Sequence, residues 1–315
     1  MRGFAFVLML GLAFSLHAAQ EKGVSKVETT FKRYLETPHP KGPSKTDAYD
    51  PVVSAKMNRA RQARLSILAE LKAFPKETVF AARRVLFEQA GPKQRREIVG
   101  MLGDRIHTRE CAELLHDVIQ DVRGPGDEHA ALYEELVRTS AVHGLRMMGR
   151  RTDRSGGKRI RRRPDFEPKV HGLLPYMISA ANDKAERVRV SALYALAGSR
   201  EPAAVAELQN RLKDQSEKIR LRAACFLTEY QNAAGLSEMR EALNRIRKIE
   251  LEDDFSHYGR IEMLLASFER ITGESFGKIP PNPTLSSFLD SGERERYKEL
   301  LDTWHTWWTW KPETN

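Results

Sequence analysis

Between Asp183 and Leu243 apolar residues recur at helical spacing, and the pattern is written twice. Val188, Ser191, Ala192, Ala195 and Leu196 fall at i, i+3, i+4, i+7 and i+8, which places them on one face of a helix. Gly198 marks where that helix stops, Pro202 suits the first turn of the next, and Val205, Leu208 and Leu212 form a second apolar stripe. The pattern then returns. Asp183 aligns with Asp214, Val188 with Ile219, Arg189 with Arg220, Ala192 with Ala223, Leu196 with Leu227, Val205 with Leu236, Leu208 with Met239 and Leu212 with Leu243, at a constant offset of 214 − 183 = 31 residues. A short fixed period predicts stacked helix pairs, because one pair cannot bury its own apolar faces. The small Ala192 and Ala223 predict close helix approach.

Fainter copies lie upstream. Val137, Arg138, Ala141, Leu145 and Gly149 occupy the slots of the first helix, as do Arg95, Ile98 and Leu102, with Ala112, Leu115 and Ile119 forming a second helix. An earlier pair is expected from about Ala55 to Gln89. In these residues the chain resembles the HEAT-repeat family, including HEAT-like repeats of the phycobilin-lyase type. The resemblance covers roughly 55–272 and rests on the pairs Asp183/Arg189 and Asp214/Arg220, six residues apart in each case. In that family the Asp of the turn and the Arg of the next helix form a ladder between repeats. Leu132 and Gln89 stand where Arg138 and Arg95 would want their Asp, so the ladder is expected to be broken there. The resemblance implies an all-α fold, an α-solenoid or right-handed superhelix of antiparallel helix pairs, closed by a Trp-rich C-terminal capping helix.

Outside the repeats, one Arg precedes an apolar run over about Phe4–Leu16, with Ala18 and Ala19 behind it. This is the layout of a secretory signal peptide, expected over 1–19, and it predicts export to the periplasm or beyond. The run is shorter than the roughly 20 residues a membrane span needs. Residues 20–51 read as a short helix followed by a Pro-rich linker, and 52–273 as the repeat array. A basic insertion at 150–168 interrupts it, carrying Arg150, Arg151, Arg154, Lys158, Arg159, Arg161, Arg162 and Arg163. Residues 274–315 hold a second linker and a final helix with all four tryptophans, Trp304, Trp307, Trp308 and Trp310. The turn before it, Ile271, Thr272, Gly273, Phe276 and Gly277, resembles one found near the ends of exported bacterial HEAT-repeat proteins.

Candidate chemistry is sparse. There is no Gly-rich phosphate loop, no Gly-x-Ser-x-Gly elbow and no His-Glu-x-x-His helix. Glu113 and His116 make one Glu-x-x-His pair near Glu110, where a dinuclear carboxylate site needs two such pairs and two further carboxylates. Asp253 and Asp254 have no matching cluster, so neither metal nor cofactor is expected. Cys111 and Cys225 lie three repeats apart and predict two small, partly buried hydrophobes with no disulfide. His143, Tyr194 and Cys225 share one slot in successive repeats.

The net charge of +9 and the basic insertion favour an anionic envelope polymer, an acidic protein or a membrane surface as partner. With no aromatic residues among the arginines, nucleic acid is disfavoured. The chain is therefore expected to be a monomeric, non-catalytic binding scaffold and not an enzyme. Two other expectations stand beside it. One is a HEAT-like lyase-type enzyme or chaperone for an acidic tetrapyrrole-like ligand, using Tyr194 with Glu229 or Glu186. The other is glycan binding by the C-terminal tryptophans.

Overall fold

A computed structural model describes residues 26–30, 32–34, 36–37, 51–122, 128–149, 170, 172–199, 201–247, 255–277 and 291–310. Among these the chain is all-α, with no strand. The expected signal peptide at 1–19, most of the first linker, Asp253 and Asp254, and the whole basic insertion lie outside the described residues. So Arg150, Arg151, Arg154, Lys158, Arg159, Arg161, Arg162 and Arg163 have no place in the account below. No helix among the described residues is long and apolar enough to cross a membrane.

The chain divides into two compact units, Met1–Leu173 and Leu174–Asn315. The first holds helical residues at 26–30, 32–34 and 36 and then α1 (Pro51–Ala73), α2 (Pro75–Arg84), α3 (Pro92–Arg105), α4 (Arg109–Gln120) and α5 (Glu128–Met148). A π turn, Val85–Gln89, carries α2 towards α3. Prolines open α2 and α3 at the position where a missing N–H costs nothing, and the Thr108 hydroxyl caps α4 by accepting from the Cys111 N–H at 3.2 Å. Helix α3 packs mainly on α5, and α5 also meets α4. Ile98, Val99, Leu102, Leu114, Leu115, Val118, Val137, Ala141 and Leu145 are buried in this unit. Gly103 and Gly144 let α3 and α5 meet backbone to backbone: a Cβ on Gly103 would lie 2.5 Å from the Gly144 Cα.

The second unit contains α6 (Leu174–Ala181), α7 (Glu186–Leu196), α8 (Pro202–Asn210), α9 (Glu217–Leu227), α10 (Leu236–Ile246), α11 (Phe255–Thr272) and α12 (Ser291–Trp310). Its repetition extends to individual hydrogen bonds. Arg189 Nη1 donates to the carbonyls of Asp183 and Lys184, both at 3.0 Å. Arg220 Nη1 donates to those of Asp214 and Gln215, at 3.0 and 3.2 Å. The Asp183 carboxylate accepts from the Ala185 N–H at 2.7 Å, as Asp214 does from the Ser216 N–H at 2.9 Å. Each Asp thus orders the turn, and each Arg, from the first turns of its helix, satisfies the carbonyls of that turn. Ala192 and Ala223 are fully buried, and a Cβ on Gly235 would strike Ala224 at 2.5 Å.

A rung joins the two copies. Asp214 takes Arg189 Nε and Nη2, both at 3.1 Å, on side chains only 5 % and 7 % exposed. Upstream, Arg95 has no Asp six residues before it, yet it is fully buried and doubly paired. Its Nη2 reaches Asp121 at 2.7 Å and its Nη1 reaches Glu134 at 2.6 Å. The acceptor follows the Arg by 121 − 95 = 26 residues, close to the 214 − 189 = 25 of the downstream rung.

Candidate functional site

The last helix presents two chemically different faces. Tyr297, Leu300, Leu301 and Trp304 are buried against Met239, Leu243 and Ile246 of α10 and Ile261, Leu264, Leu265 and Phe268 of α11. Helical spacing puts these four on one stripe, and their burial removes a large apolar area from water. The Trp304 ring stacks on Phe268 at 5.1 Å.

The turn after α11 supplies another ring. Gly273 and Gly277 have φ of +76° and +126°, which L side chains rarely adopt. The reversal they allow brings Phe276 edge-on to Trp304, with centroids 4.7 Å apart. Phe276 also faces Trp307 at 6.4 Å, and Trp307 meets Trp304 at 5.6 Å and Trp308 at 4.9 Å. Arg240 lies over the Trp308 ring, 5.4 Å from its centroid.

On the other stripe of α12, Asp302, Thr303, Thr306 and Trp307 join Phe276 to line an open cleft of about 410 Å³. Asp302 is 62 % exposed and accepts from Arg247 Nε at 2.7 Å. The Thr303 hydroxyl donates to the Glu299 carbonyl at 2.7 Å and the Thr306 hydroxyl to the Asp302 carbonyl at 2.9 Å. The cleft is open: Phe276 and Trp307 are half-buried, and Asp302, Thr303 and Thr306 are exposed. Of the tryptophans, Trp304 is buried, Trp307 and Trp308 are half-buried, and the side chain of Trp310 lies outside the description. The sequence reading named Trp307 but missed Asp302, Thr303 and Thr306. Their signal was the polar residues at i, i+1 and i+4 on a helix read only for its apolar face.

The other candidates lie in separate surroundings. Glu113 accepts from Arg109 Nε at 3.0 Å on the surface of α4, one turn before His116. Beside them, Glu110 is held below the ordinary carboxylate range by backbone and Thr108 hydrogen bonds at the helix start. Among the described residues no three His, Cys, Asp or Glu side chains gather as a metal-binding group. His143 is exposed, Tyr194 half-buried and Cys225 buried, so their shared slot is not one continuous surface. Tyr194 packs edge-on to Phe226 at 4.9 Å. Glu186 accepts from the Ser216 hydroxyl at 2.7 Å and pairs with Lys218 at 3.0 Å, and these two contacts lower its pKa. Glu229 sits in the 3-10 turn Thr228–Tyr230. Cys111 and Cys225 are free and buried, and burial pushes each thiol up to about 12.

No family model matches the sequence, and no curated protein matches it. Among solved structures the chain is similar to human deoxyhypusine hydroxylase in complex with glycerol. The alignment covers 92 % of this chain and 98 % of that one, at 15 % identity and a TM-score of 0.25. That protein is an enzyme, and this corrects the expectation of a non-catalytic scaffold that is not an enzyme. The physical reason is plain. Missing linear motifs say nothing about side chains that folding assembles from separate helices. A likeness this slight carries no statement about what reaction, if any, this chain performs.

Proposed function

We propose that the chain recognises saccharide through the cleft formed by Phe276, Asp302, Thr303, Thr306 and Trp307. The observation that carries this reading is the half-buried Trp307 ring set beside acceptor oxygens on one helix face. A sugar ring has an apolar C–H face and a rim of hydroxyls. An indole offers a flat apolar surface to the first, and carboxylate and hydroxyl oxygens accept from the second. The burial of Trp304 under Phe276 holds the adjacent Trp307 in place, so little side-chain freedom is left to lose on binding.

We further read the repeats as HEAT-like and solenoid-forming. The equivalent hydrogen bonds of Arg189 and Arg220, and the rung from Arg189 to Asp214, support that reading. Export through a leader at 1–19 would bring the cleft to envelope or extracellular polysaccharide.

Titration with neutral and charged polysaccharides, followed by tryptophan fluorescence and calorimetry, tests the reading. All four tryptophans lie between Trp304 and Trp310, so a fluorescence change reports this end of the chain. Binding is expected for the intact protein, to fall at least about tenfold in Trp307→Ala, and to persist in Trp307→Phe. No heat and no fluorescence change with any polysaccharide would remove the proposal. Analysis of the same mixtures for shortened products reads turnover.

A further inference from the structure

We infer that the cleft takes an acidic saccharide and that Arg296 holds its carboxylate; this rests on the saccharide reading and adds the ligand's class. The wall of the cleft continues beyond the five lining residues. From Phe276 to Gly277 the chain runs alongside α12: Phe276 faces Trp304 and Trp307, and Gly277 lies against Leu300 and Arg296. A Cβ on Gly277 would stand 3.9 Å from Arg296 Nη2 and 3.9 Å from Leu300 Cδ2. Helical spacing gives a second link. Arg296, Leu300, Thr303 and Trp307 fall at i, i+4, i+7 and i+11, along one stripe of α12. The Arg296 guanidinium therefore stands at the end of the cleft away from Trp307, beside the segment that carries Phe276.

The charges around the cleft leave this cation over. Asp302 is already compensated, because Arg247 Nε donates to its Oδ1 at 2.7 Å. That contact uses one edge of the Arg247 guanidinium, whose terminal nitrogens remain donors beside the cleft. Arg296 is exposed, and among the described residues no carboxylate pairs with it. Its planar fork of N–H groups matches the two oxygens of a carboxylate, which a single hydroxyl cannot do. Glu299, exposed one turn along, acts on such a ligand from farther off and through water, so its repulsion is the smaller effect. The overall charge of +9 works in the same direction as Arg296 by drawing anionic glycans towards the chain. Length enters as well. Arg296 and Trp307 are 307 − 296 = 11 residues apart, about 16 Å of helical rise, so a short oligosaccharide spans both where a single sugar does not.

The test uses the full chain and two oligogalacturonates of equal length, one free and one methyl-esterified, so that only the carboxylate charge differs. Calorimetry at moderate salt is expected to show the free acid binding about fivefold more tightly. Arg296→Gln should bring acid and ester to within about twofold of each other and leave the ester's own affinity unchanged. Arg296→Lys, which keeps the charge and loses the fork, should fall between. Lys298→Gln removes the same unit of charge from an exposed position off the stripe and should leave the preference intact. Circular dichroism checks the fold of each variant. Equal binding of acid and ester, both lost in Trp307→Ala, would overturn the acidic specificity and leave the saccharide site standing. A preference that survives Arg296→Gln, or that Lys298→Gln abolishes as fully, would overturn it too, since either assigns the preference to long-range charge. Failure of both oligogalacturonates to bind would also overturn it, and binding of a neutral polysaccharide would then show that the saccharide site remains.

Discussion

At the scale of single residues, glycines with different surroundings give opposite expectations on α3. Gly103 lies against the Gly144 backbone, so Gly103→Ala forces the two helices apart and should cost roughly 1–3 kcal/mol. Gly100 is in the same helix and a Cβ there meets nothing within 4 Å, so Gly100→Ala should stabilise by about 0.5–1 kcal/mol. Urea unfolding of both variants checks the pair; a shift of the same sign in both would refute the close crossing. The thiols offer another prediction. Burial raises Cys111 and Cys225 from 9.0 to about 12, with Glu110 adding to the rise at Cys111. For Cys225, Ser267, Arg270 and Arg222 oppose burial without overcoming it. Neither should react with a thiol reagent at pH 8 until the chain unfolds. Because the folded pKa is the higher one, this contribution to stability is complete below 9.0 and is lost as pH rises towards about 12. The sequence marked both cysteines as small, partly buried hydrophobes from their number and separation, and both are buried outright. It could not show that Gly103 faces Gly144, since a glycine carries no side chain to register in an apolar stripe.

At the scale of elements, the arginine rungs show how packing decides what a motif means. Asp214 caps its own turn and holds Arg189 of the preceding helix pair, so Asp214→Ala leaves a buried guanidinium without its carboxylate. A loss of about 3–5 kcal/mol is expected, and the double variant Arg189→Met/Asp214→Leu should lose much less. A double-mutant cycle in urea measures both, and an Asp214→Ala protein as stable as the parent would rule out a structural role for the rung. The sequence reading sought each Asp six residues before its Arg and so expected no rung at Arg95. The tertiary partner comes instead from the turn after the next helix, at a separation of 26 residues, with Glu134 as a second acceptor. Spacing within a turn is a local quantity, whereas a rung is a contact between helices. Only the second survives when the connecting turn changes length.

At the scale of the whole molecule, the two compact units each contain one buried cysteine, and all the tryptophans belong to the second. Thiol labelling and fluorescence therefore report different parts of one chain. In a urea series, labelling of Cys225 is expected to follow the tryptophan fluorescence, because α9 and α12 share one apolar cluster that includes Cys225 and Trp304. Cys111 labelling measures the first unit independently. A Cys225 that becomes reactive well before the fluorescence changes would show that α12 does not share the core of α9. Comparison of the two labelling curves tests whether the units unfold as one cooperative system.

The amino-acid sequence alone determined the helical class of the described residues and the buried stripe of their helices, because these follow from local periodicity and from turn residues that sit close together in the chain. It also gathered the tryptophans into one helix. What the tertiary structure decided was which atoms meet: the partners of Arg95, the crossing at Gly103, and the joining of Phe276 with Asp302, Thr303, Thr306 and Trp307 in a cleft. Those depend on turn lengths and on helix packing across tens of residues. Periodicity says which face of a helix is apolar; it does not say what the opposite face will be brought against.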